Sequence, residues 1–160
     1  MNGGQRPQGV SLEKLLKAGV PPSAARSRIM AAIRSRNTSP EVALRRMLHQ
    51  RGLRFRLKAK NLPCKPDIIF PSQRLAVFVH GCFWHQHDGC KYARIPKSRI
   101  EFWAEKFRRN RHRDARNIAT LQECGWTPIV VWECELKDEL RVIEIASHVE
   151  GLVRGNPNTA

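Results

Sequence analysis

The densest group of reactive side chains lies in the segment HGCFWHQHDGC, at residues 80–90. It holds two cysteines and three histidines, and zinc prefers tetrahedral sets of thiolate and imidazole ligands. Cys82, His87 and Cys90 can converge on one ion if the loop curls. Cys134, which follows the apolar run VVWE, is our candidate for the fourth ligand. The alternative is that these thiols are ordinary core residues.

The remaining cysteines are interpreted as small apolar residues. Cys64 follows Pro63 in a predicted loop, and Cys124 lies at the end of a predicted helix. No apolar run reaches the roughly 18 residues of a membrane span, and the N-terminal segment lacks the apolar stretch of a signal peptide. We therefore expect a cytoplasmic protein with reduced thiols, in which five cysteines favour metal binding or packing over disulfides.

A second candidate site combines a carboxylate with the histidines that zinc would leave free. Asp67 opens the predicted strand DIIF, where one of its oxygens can bind Mg²⁺. If DIIF and LAVFV form a hairpin, the end of the second strand brings His80 and the loop with His85 towards Asp67. Hydrolysis of a phosphodiester needs a cation on the phosphate, a base for the attacking water and stabilisation of the leaving oxygen. These three residues can supply those functions.

The carboxylates of Asp67 and Glu41 each also have a purely structural interpretation. A Pro-Asp pair such as Pro66-Asp67 is common in turns, where it has no catalytic role. Glu41, in the first turn of a predicted helix, can orient one of the two histidines, or it can simply stabilise the helix N-terminus.

The charge of the chain indicates a polyanionic partner. There are 29 Lys and Arg against 14 Asp and Glu, a formal net charge of +15. Nucleic acid is the leading candidate, and the alternatives are an anionic membrane surface or a merely soluble basic protein with no such partner. Phe83 and Trp84 are adjacent aromatics in a polar loop, which favours wedges between bases over core residues. A basic run on a predicted helix would contact phosphates, through Arg108, Arg109, Arg111 and Arg113.

The hydrophobic pattern predicts an α/β sandwich around a mixed sheet, in the order helix, strands, helix, strand, helix. The predicted strands are RFRLKA, DIIF, RLAVFV and PIVVWEC. Ser39 should cap a helix that Gly52 ends. Ser98 and Glu101 should form a capping box for a long basic helix that ends at Gly125, and KDELRVIEIASHVEGLV should form the last helix.

The predicted organisation is one domain over residues 23–154, beginning with a short basic helix at SAARSRIMAAIR. Residues 1–22 are predicted to be a flexible arm and residues 155–160 a disordered tail. No heptad repeat demands a dimer, so we expect a monomer.

Five blocks of the sequence, in order, resemble the very short patch repair (Vsr) DNA mismatch endonucleases, a branch of the PD-(D/E)XK nuclease superfamily. They are RSRIMAAIRSRNTSPE, Pro66-Asp67, HGCFWHQHDGC, EFWAEKFRRNRHRD and LQECGWTPIVVWECEL. The resemblance spans roughly Ala25 to Leu136. It implies a restriction-endonuclease-like fold with a central mixed β-sheet flanked by helices and a structural zinc site. FVHGC stands where the superfamily has its lysine pattern, which shifts the base chemistry from Lys to His.

The resemblance also implies roles for individual residues. Mg²⁺ would be held by Asp67 and by the main-chain carbonyl of Val79, beside the catalytic His80 and His85. Glu41 matches a glutamate that supports the histidine, so we expect His85 to be the base for the attacking water, oriented by Glu41. His80 and a metal-bound water would assist the leaving group.

For the other positions, the resemblance assigns zinc to Cys82, His87, Cys90 and Cys134, the set reached above. Trp103 would join Phe83 and Trp84 in wedging the duplex from the major groove, and Met30 would enter from the minor groove. For Trp103 and Met30 the alternative is a place in the core of an amphipathic helix.

The activity implied by the resemblance is a Mg²⁺-dependent nick in one strand, 5′ to the thymine of a T:G mismatch. This nick starts repair of deaminated 5-methylcytosine. The partner is double-stranded DNA with a T:G mismatch, at the nucleoid, with a functional link to a cytosine-5 DNA methyltransferase. Two alternatives are a zinc-stabilised module that binds DNA without cutting it, and a nuclease that nicks without mismatch dependence.

Overall fold

The computed structural model describes residues 37–58 and 61–155. The predicted arm, the short basic helix with Met30 and the tail from residue 156 lie outside these residues. The elements are α1 (Ser39–Gln50), β1 (Ile68–Phe70), β2 (Leu75–His80), α2 (Cys82–His85), α3 (Ile100–Glu123), β3 (Thr127–Trp132), a 3₁₀ turn (Glu135–Lys137) and α4 (Glu139–Arg154). Among the described helices, none has the length and apolar character needed to cross a membrane.

The three strands form one mixed sheet with β2 in the centre. β1 pairs with β2 in antiparallel register, with Ile68 opposite Val77, which confirms the predicted hairpin. β3 pairs with β2 in parallel register, and His80 lies opposite Trp132 at the end of both strands. The predicted α/β class and the mixed sheet are thus confirmed.

The predicted strand RFRLKA is wrong. Within residues 37–58 and 61–155, this segment pairs with the sheet only through one isolated bridge between Arg56 and Ile69. Phe55 packs its ring edge-to-face on Phe70, 6.2 Å away, but Leu57 is 47% exposed. A single apolar anchor holds the segment at the sheet edge, which is too little to extend the pairing along a full strand.

Helices cover both faces of the sheet because β2 buries alternate residues on opposite sides. Leu75 and Val77 join the larger core cluster, together with residues of α1 and α4. Ala76 and Phe78 face the other way and pack with Leu121 of α3. The central strand is therefore buried on both faces, and its C-terminal end is where polar side chains can emerge.

The helix starts differ from the sequence prediction by one or two residues. Thr38, rather than Ser39, is the N-cap of α1. Glu41 accepts hydrogen bonds from the Thr38 hydroxyl at 2.8 Å and from the Asn37 N–H at 2.9 Å. α3 begins at Ile100 after Arg99, so the expected capping box at Ser98 does not form.

Arg99 occupies the N-cap position of α3 without a side-chain cap hydrogen bond. It adopts a left-handed conformation with φ +54°, and its guanidinium lies over the Phe102 ring at 4.4 Å, a cation–π contact. The predicted C-terminal ends of α1 and α3 are confirmed, because Gly52 and Gly125 take positive φ values that favour glycine.

We expect the core to depend strongly on Leu44, which is fully buried in α1. Leu44→Ala should lower the free energy of unfolding by about 2–5 kcal/mol, because it leaves a cavity between α1 and the sheet. Leu140→Ala is the matched control, since Leu140 is 70% exposed on α4. Urea denaturation of both variants checks the prediction, and equal losses would contradict this core assignment.

Candidate functional site

Asp67 is fixed at the sheet by both its backbone and its side chain. Its N–H donates to the Val77 carbonyl at 2.9 Å, and its Oδ2 accepts from the Val79 N–H at 2.8 Å. The antiparallel pairing therefore carries the carboxylate to the residue that precedes His80. Among the described residues, only Oδ2 of this carboxylate accepts a hydrogen bond, so Oδ1 is available to a cation.

The surroundings of Asp67 favour a bound cation. Burial raises the pKa of Asp67, and the nearby carboxylate of Glu41 raises it further, while Arg45 and His85 lower it. A hard divalent ion on Oδ1 would stabilise the ionised form against this desolvation. The chemistry of the residues present thus fits the metal position that the sequence predicted.

His80 and His85 lie against each other at the end of β2. Their rings stack at 3.9 Å between centroids, with an angle of 9° between the planes. His80 is only 8% exposed, and burial, followed by the charge of His85, lowers its pKa to about 4. His80 is therefore a neutral imidazole near neutral pH.

His85 has a carboxylate partner on the long helix. Its Nδ1 lies 2.5 Å from Oδ2 of Asp114, a short hydrogen bond. Although burial acts to raise the pKa of Asp114, the hydrogen bond and charge of His85 lower it, so Asp114 stays ionised. A carboxylate on Nδ1 fixes the imidazole orientation and leaves Nε2 as the free ring nitrogen.

Within the described residues, Glu41 hydrogen-bonds to its own helix start and to Arg45, while the Nδ1 of His85 pairs with Asp114. Both Glu41 oxygens are taken up at the start of α1, and Oε2 also pairs with Arg45 at 2.9 Å. Arg45 in turn donates to the Asp67 carbonyl at 3.4 Å. Glu41 and Arg45 thus form a largely buried ion pair next to Asp67.

The structure brings Cys82, His87, Cys90 and Cys134 together. One ligand atom from each lies within 4.8 Å of every other. His87 Nδ1 lies 3.7 Å from Cys82 Sγ and 3.3 Å from Cys134 Sγ. Three thiols and one imidazole at these distances suit a tetrahedral, thiophilic divalent cation.

Local backbone geometry forms this cluster. The one-turn helix α2 ends at Gln86, whose φ of +51° turns His87 back towards Cys82. Gly89 at φ +64° reverses the loop and leads into Cys90. Cys134 lies two residues after the end of β3, at the N-cap of the 3₁₀ turn.

The thiols of the cluster differ in environment. Burial raises the pKa of Cys82 to about 12, and burial also raises that of Cys134. The backbone N–H of Tyr92 beside the Cys90 sulfur is the main cause that lowers the pKa of Cys90. A bound cation would stabilise all three thiolates at once, which protein groups alone do not.

Phe83 and Trp84 pack against the first turns of α3. Phe83 lies edge-to-face with Trp84, Trp103 and Phe107, at centroid distances of 5.0–5.3 Å. Phe107 is buried, but the other three rings are only partly covered. Lys106 Nζ lies 5.0 Å from the Trp84 ring and 5.5 Å from the Trp103 ring. A partly exposed aromatic surface with a cation suits stacking against nucleic-acid bases.

The basic run on α3 is exposed. Arg108 and Arg109 both pair with Glu105 in surface salt bridges, and Arg113 pairs with Asp114. The exposed pairs of Arg108 and Arg109 contribute little to stability, so these two guanidinium groups can exchange Glu105 for phosphates at low cost. Arg111 is exposed on the same helix.

Comparison with known proteins identifies the family. The sequence profile described as DNA mismatch endonuclease Vsr matches residues 20–91. The chain is 54% identical over 110 residues to a type II nicking enzyme of Xanthomonas oryzae pv. oryzae, covering 69% of this chain and 80% of that protein. It is 42% identical over 129 residues to the DNA mismatch endonuclease Vsr of Escherichia coli strain K12, covering 81% of this chain and 82% of that protein. The chain belongs to the Vsr family of endonucleases.

A further relative of this Vsr-family chain is a type II nicking enzyme of Neisseria meningitidis serogroup A, 45% identical over 114 residues. That match covers 71% of this chain and 81% of the relative. The aligned lengths therefore extend well beyond the cysteine-rich segment at residues 80–90.

Sequence reasoning missed two residues of the site in this Vsr-family chain. Asp114 was overlooked because it lies within a run of arginines, although it is the one carboxylate between Glu105 and Glu123. The strand pattern around Trp132 predicts only a packing role for it. Its contacts with His80 and His87 depend on strand register, which the sequence does not state.

The cluster predicts metal binding that depends on Cys134. Cys134→Ala should remove bound metal and lower the melting temperature, because three ligands hold a thiophilic ion far less tightly than four. Cys124→Ala is the matched control, since Cys124 is exposed and outside the cluster. Mass spectrometry of metal content on the purified proteins checks this, and equal metal content in both variants would contradict it.

Proposed function

We propose that this Vsr-family endonuclease nicks one strand of DNA 5′ to the thymine of a T:G mismatch by Mg²⁺-dependent hydrolysis. This nick would start very short patch repair of deaminated 5-methylcytosine. One observation carries the proposal: Asp67 and the His80–His85–Asp114 group lie side by side at the end of β2. Family membership supports endonuclease activity, and the relatives named as nicking enzymes support cleavage of a single strand.

Asp67 and the main-chain carbonyl of Val79 would hold the metal. When bound, Mg²⁺ would supply positive charge to the scissile phosphate and lower the pKa of a coordinated water. The hydrogen bond from the Val79 N–H keeps the Asp67 carboxylate at the strand end, beside the residue that precedes His80.

His85 is the proposed base for the attacking water. Asp114 accepts the Nδ1 proton, which leaves Nε2 to take a proton from the water, and the carboxylate then stabilises the imidazolium that forms. His80 stacks on His85 and limits the rotation of its ring. As a neutral imidazole, His80 can donate a hydrogen bond to a phosphate oxygen or to the leaving oxygen.

The aromatic surface is the proposed mismatch reader. Phe83, Trp84 and Trp103 would insert at the weakened base step from the major groove, with Met30 entering from the minor groove. Unstacking costs least at a mismatch, which gives selectivity for damaged sites. The net charge of +15 would hold the duplex through its phosphates.

The proposed structural zinc would hold the loop that carries the base. Cys82 and His87 flank His85, so an ion shared with Cys90 and Cys134 would tie that loop to the end of β3. We also infer that the protein acts as a monomer at the nucleoid, functionally linked to a cytosine-5 DNA methyltransferase that creates the deamination-prone base.

The substrate is tested with end-labelled duplexes that differ only in carrying T:G or T:A at one position, with Mg²⁺ present. We expect cutting of the thymine strand at T:G alone, lost in Asp67→Asn and in His85→Ala. His148→Ala is the control, because His148 is exposed on α4. Tight binding without cutting would favour the DNA-binding module, and equal cutting of T:A would favour a nuclease without mismatch dependence.

The role of Asp114 is tested by Asp114→Asn. The single-turnover rate should fall by about 10²- to 10⁴-fold, because an amide neither fixes the His85 tautomer nor stabilises its cation. Binding of the duplex should be unchanged. Glu123→Gln, at the exposed end of the same helix, is the control. A wild-type rate in Asp114→Asn would exclude Asp114 from the reaction.

A further inference from the structure

Trp132 lies between the two candidate sites and contacts both. Its ring stacks on His87 at 4.1 Å between centroids, with 2° between the planes. The same ring meets His80 edge-to-face at 5.5 Å, with 76° between the planes. Trp132 thus links a member of the Cys/His cluster to a histidine of the candidate catalytic pair through direct ring contacts.

The sheet fixes the contact with His80. Trp132 and His80 are register partners on the parallel strands β3 and β2, so their side chains project on the same side of the sheet. The backbone there is held at two points. The Glu133 N–H donates to the His80 carbonyl at 2.9 Å, and the Trp132 N–H donates to Oε2 of Glu135 at 2.8 Å.

The cluster fixes the contact with His87. His87 Nδ1 points at the sulfurs of Cys82 and Cys134, so a shared ion would set the plane of its ring. Trp132 lies flat against that plane. The rings therefore form a continuous series from His87 through Trp132 and His80 to His85.

We propose that Trp132 is a positioning residue that transmits the geometry of the Cys/His cluster to the His80–His85 pair. This inference rests on the proposed nicking reaction and on metal binding by the cluster. The indole is suited to the task because it offers one broad face to His87 while still reaching His80. A leucine can fill part of the volume, but it has no flat face to set the angle of either imidazole.

The first arm of the test measures kinetics and metal content in the full chain. Trp132→Leu should keep its bound metal and its affinity for a T:G duplex, while the single-turnover nicking rate falls by roughly 10- to 100-fold, the usual effect of removing an orienting partner. Trp132→Phe should restore most of that rate, because a phenyl ring can still stack. Trp126→Leu is the control, since Trp126 packs in the second core cluster near the opposite end of β3.

The second arm does not depend on activity. In metal-loaded protein labelled with ¹⁵N-histidine, Trp132→Leu should shift or broaden the ring signals of His80 and His85 by NMR. Trp132→Phe should return them towards wild type, and Trp126→Leu should leave them unchanged. If wild-type protein fails to nick T:G duplexes, the proposed function falls, while these signals still decide the role of Trp132.

A third variant separates positioning from packing. His87→Cys keeps four metal ligands but removes the imidazole on which Trp132 stacks. If both residues act through one linkage, the His87→Cys and Trp132→Leu double variant should nick no more slowly than the slower single variant. Fully additive losses, unchanged histidine signals in Trp132→Leu, or a rate loss that merely follows lost metal would overturn the proposal.

Discussion

The arrangement of this molecule depends on the pairing of β2 with a different partner at each edge. Antiparallel pairing with β1 brings Asp67 to the Val79 N–H. Parallel pairing with β3 makes both strands end at the same edge, so Cys82 and Cys134, each two residues past a register partner, leave the sheet side by side. The hydrogen-bonded ladder of one strand thus positions both candidate sites, and a slip of one residue would separate both sets of groups.

The two sites are close but chemically distinct. Asp67 offers a hard oxygen ligand, whereas the Cys/His cluster offers three sulfurs and one nitrogen, a set that thiophilic ions prefer. This separation would let one ion be structural while the proposed Mg²⁺ enters and leaves with the substrate. The stacked rings of His80 and His85 lie between Asp67 and the Cys/His cluster, and Asp114 from α3 orients the His85 ring. Catalysis would therefore draw on β1, β2, α2 and α3 together.

Local chemistry made part of this predictable. The turn residues between DIIF and LAVFV indicate the hairpin. The position of Cys134 next to a predicted strand end indicates the fourth ligand of the Cys/His cluster. Contacts between distant elements were not predictable in the same way. Asp114 reaches His85 across 29 residues, and that contact depends on how α3 crosses the sheet. The hydrogen bonds of Glu41 to its own helix start were not predicted either, and RFRLKA does not form a full strand because a single aromatic anchors it.

The most direct test of two chemically distinct metal sites at the end of β2 is anomalous X-ray diffraction from crystals soaked in Mn²⁺, a stand-in for Mg²⁺. Data would be collected at the absorption edges of manganese and zinc. We predict a manganese peak on the Asp67 carboxylate beside the Val79 carbonyl, and a separate zinc peak among Cys82, His87, Cys90 and Cys134. A manganese peak within the cysteine cluster, or none at Asp67, would contradict this assignment.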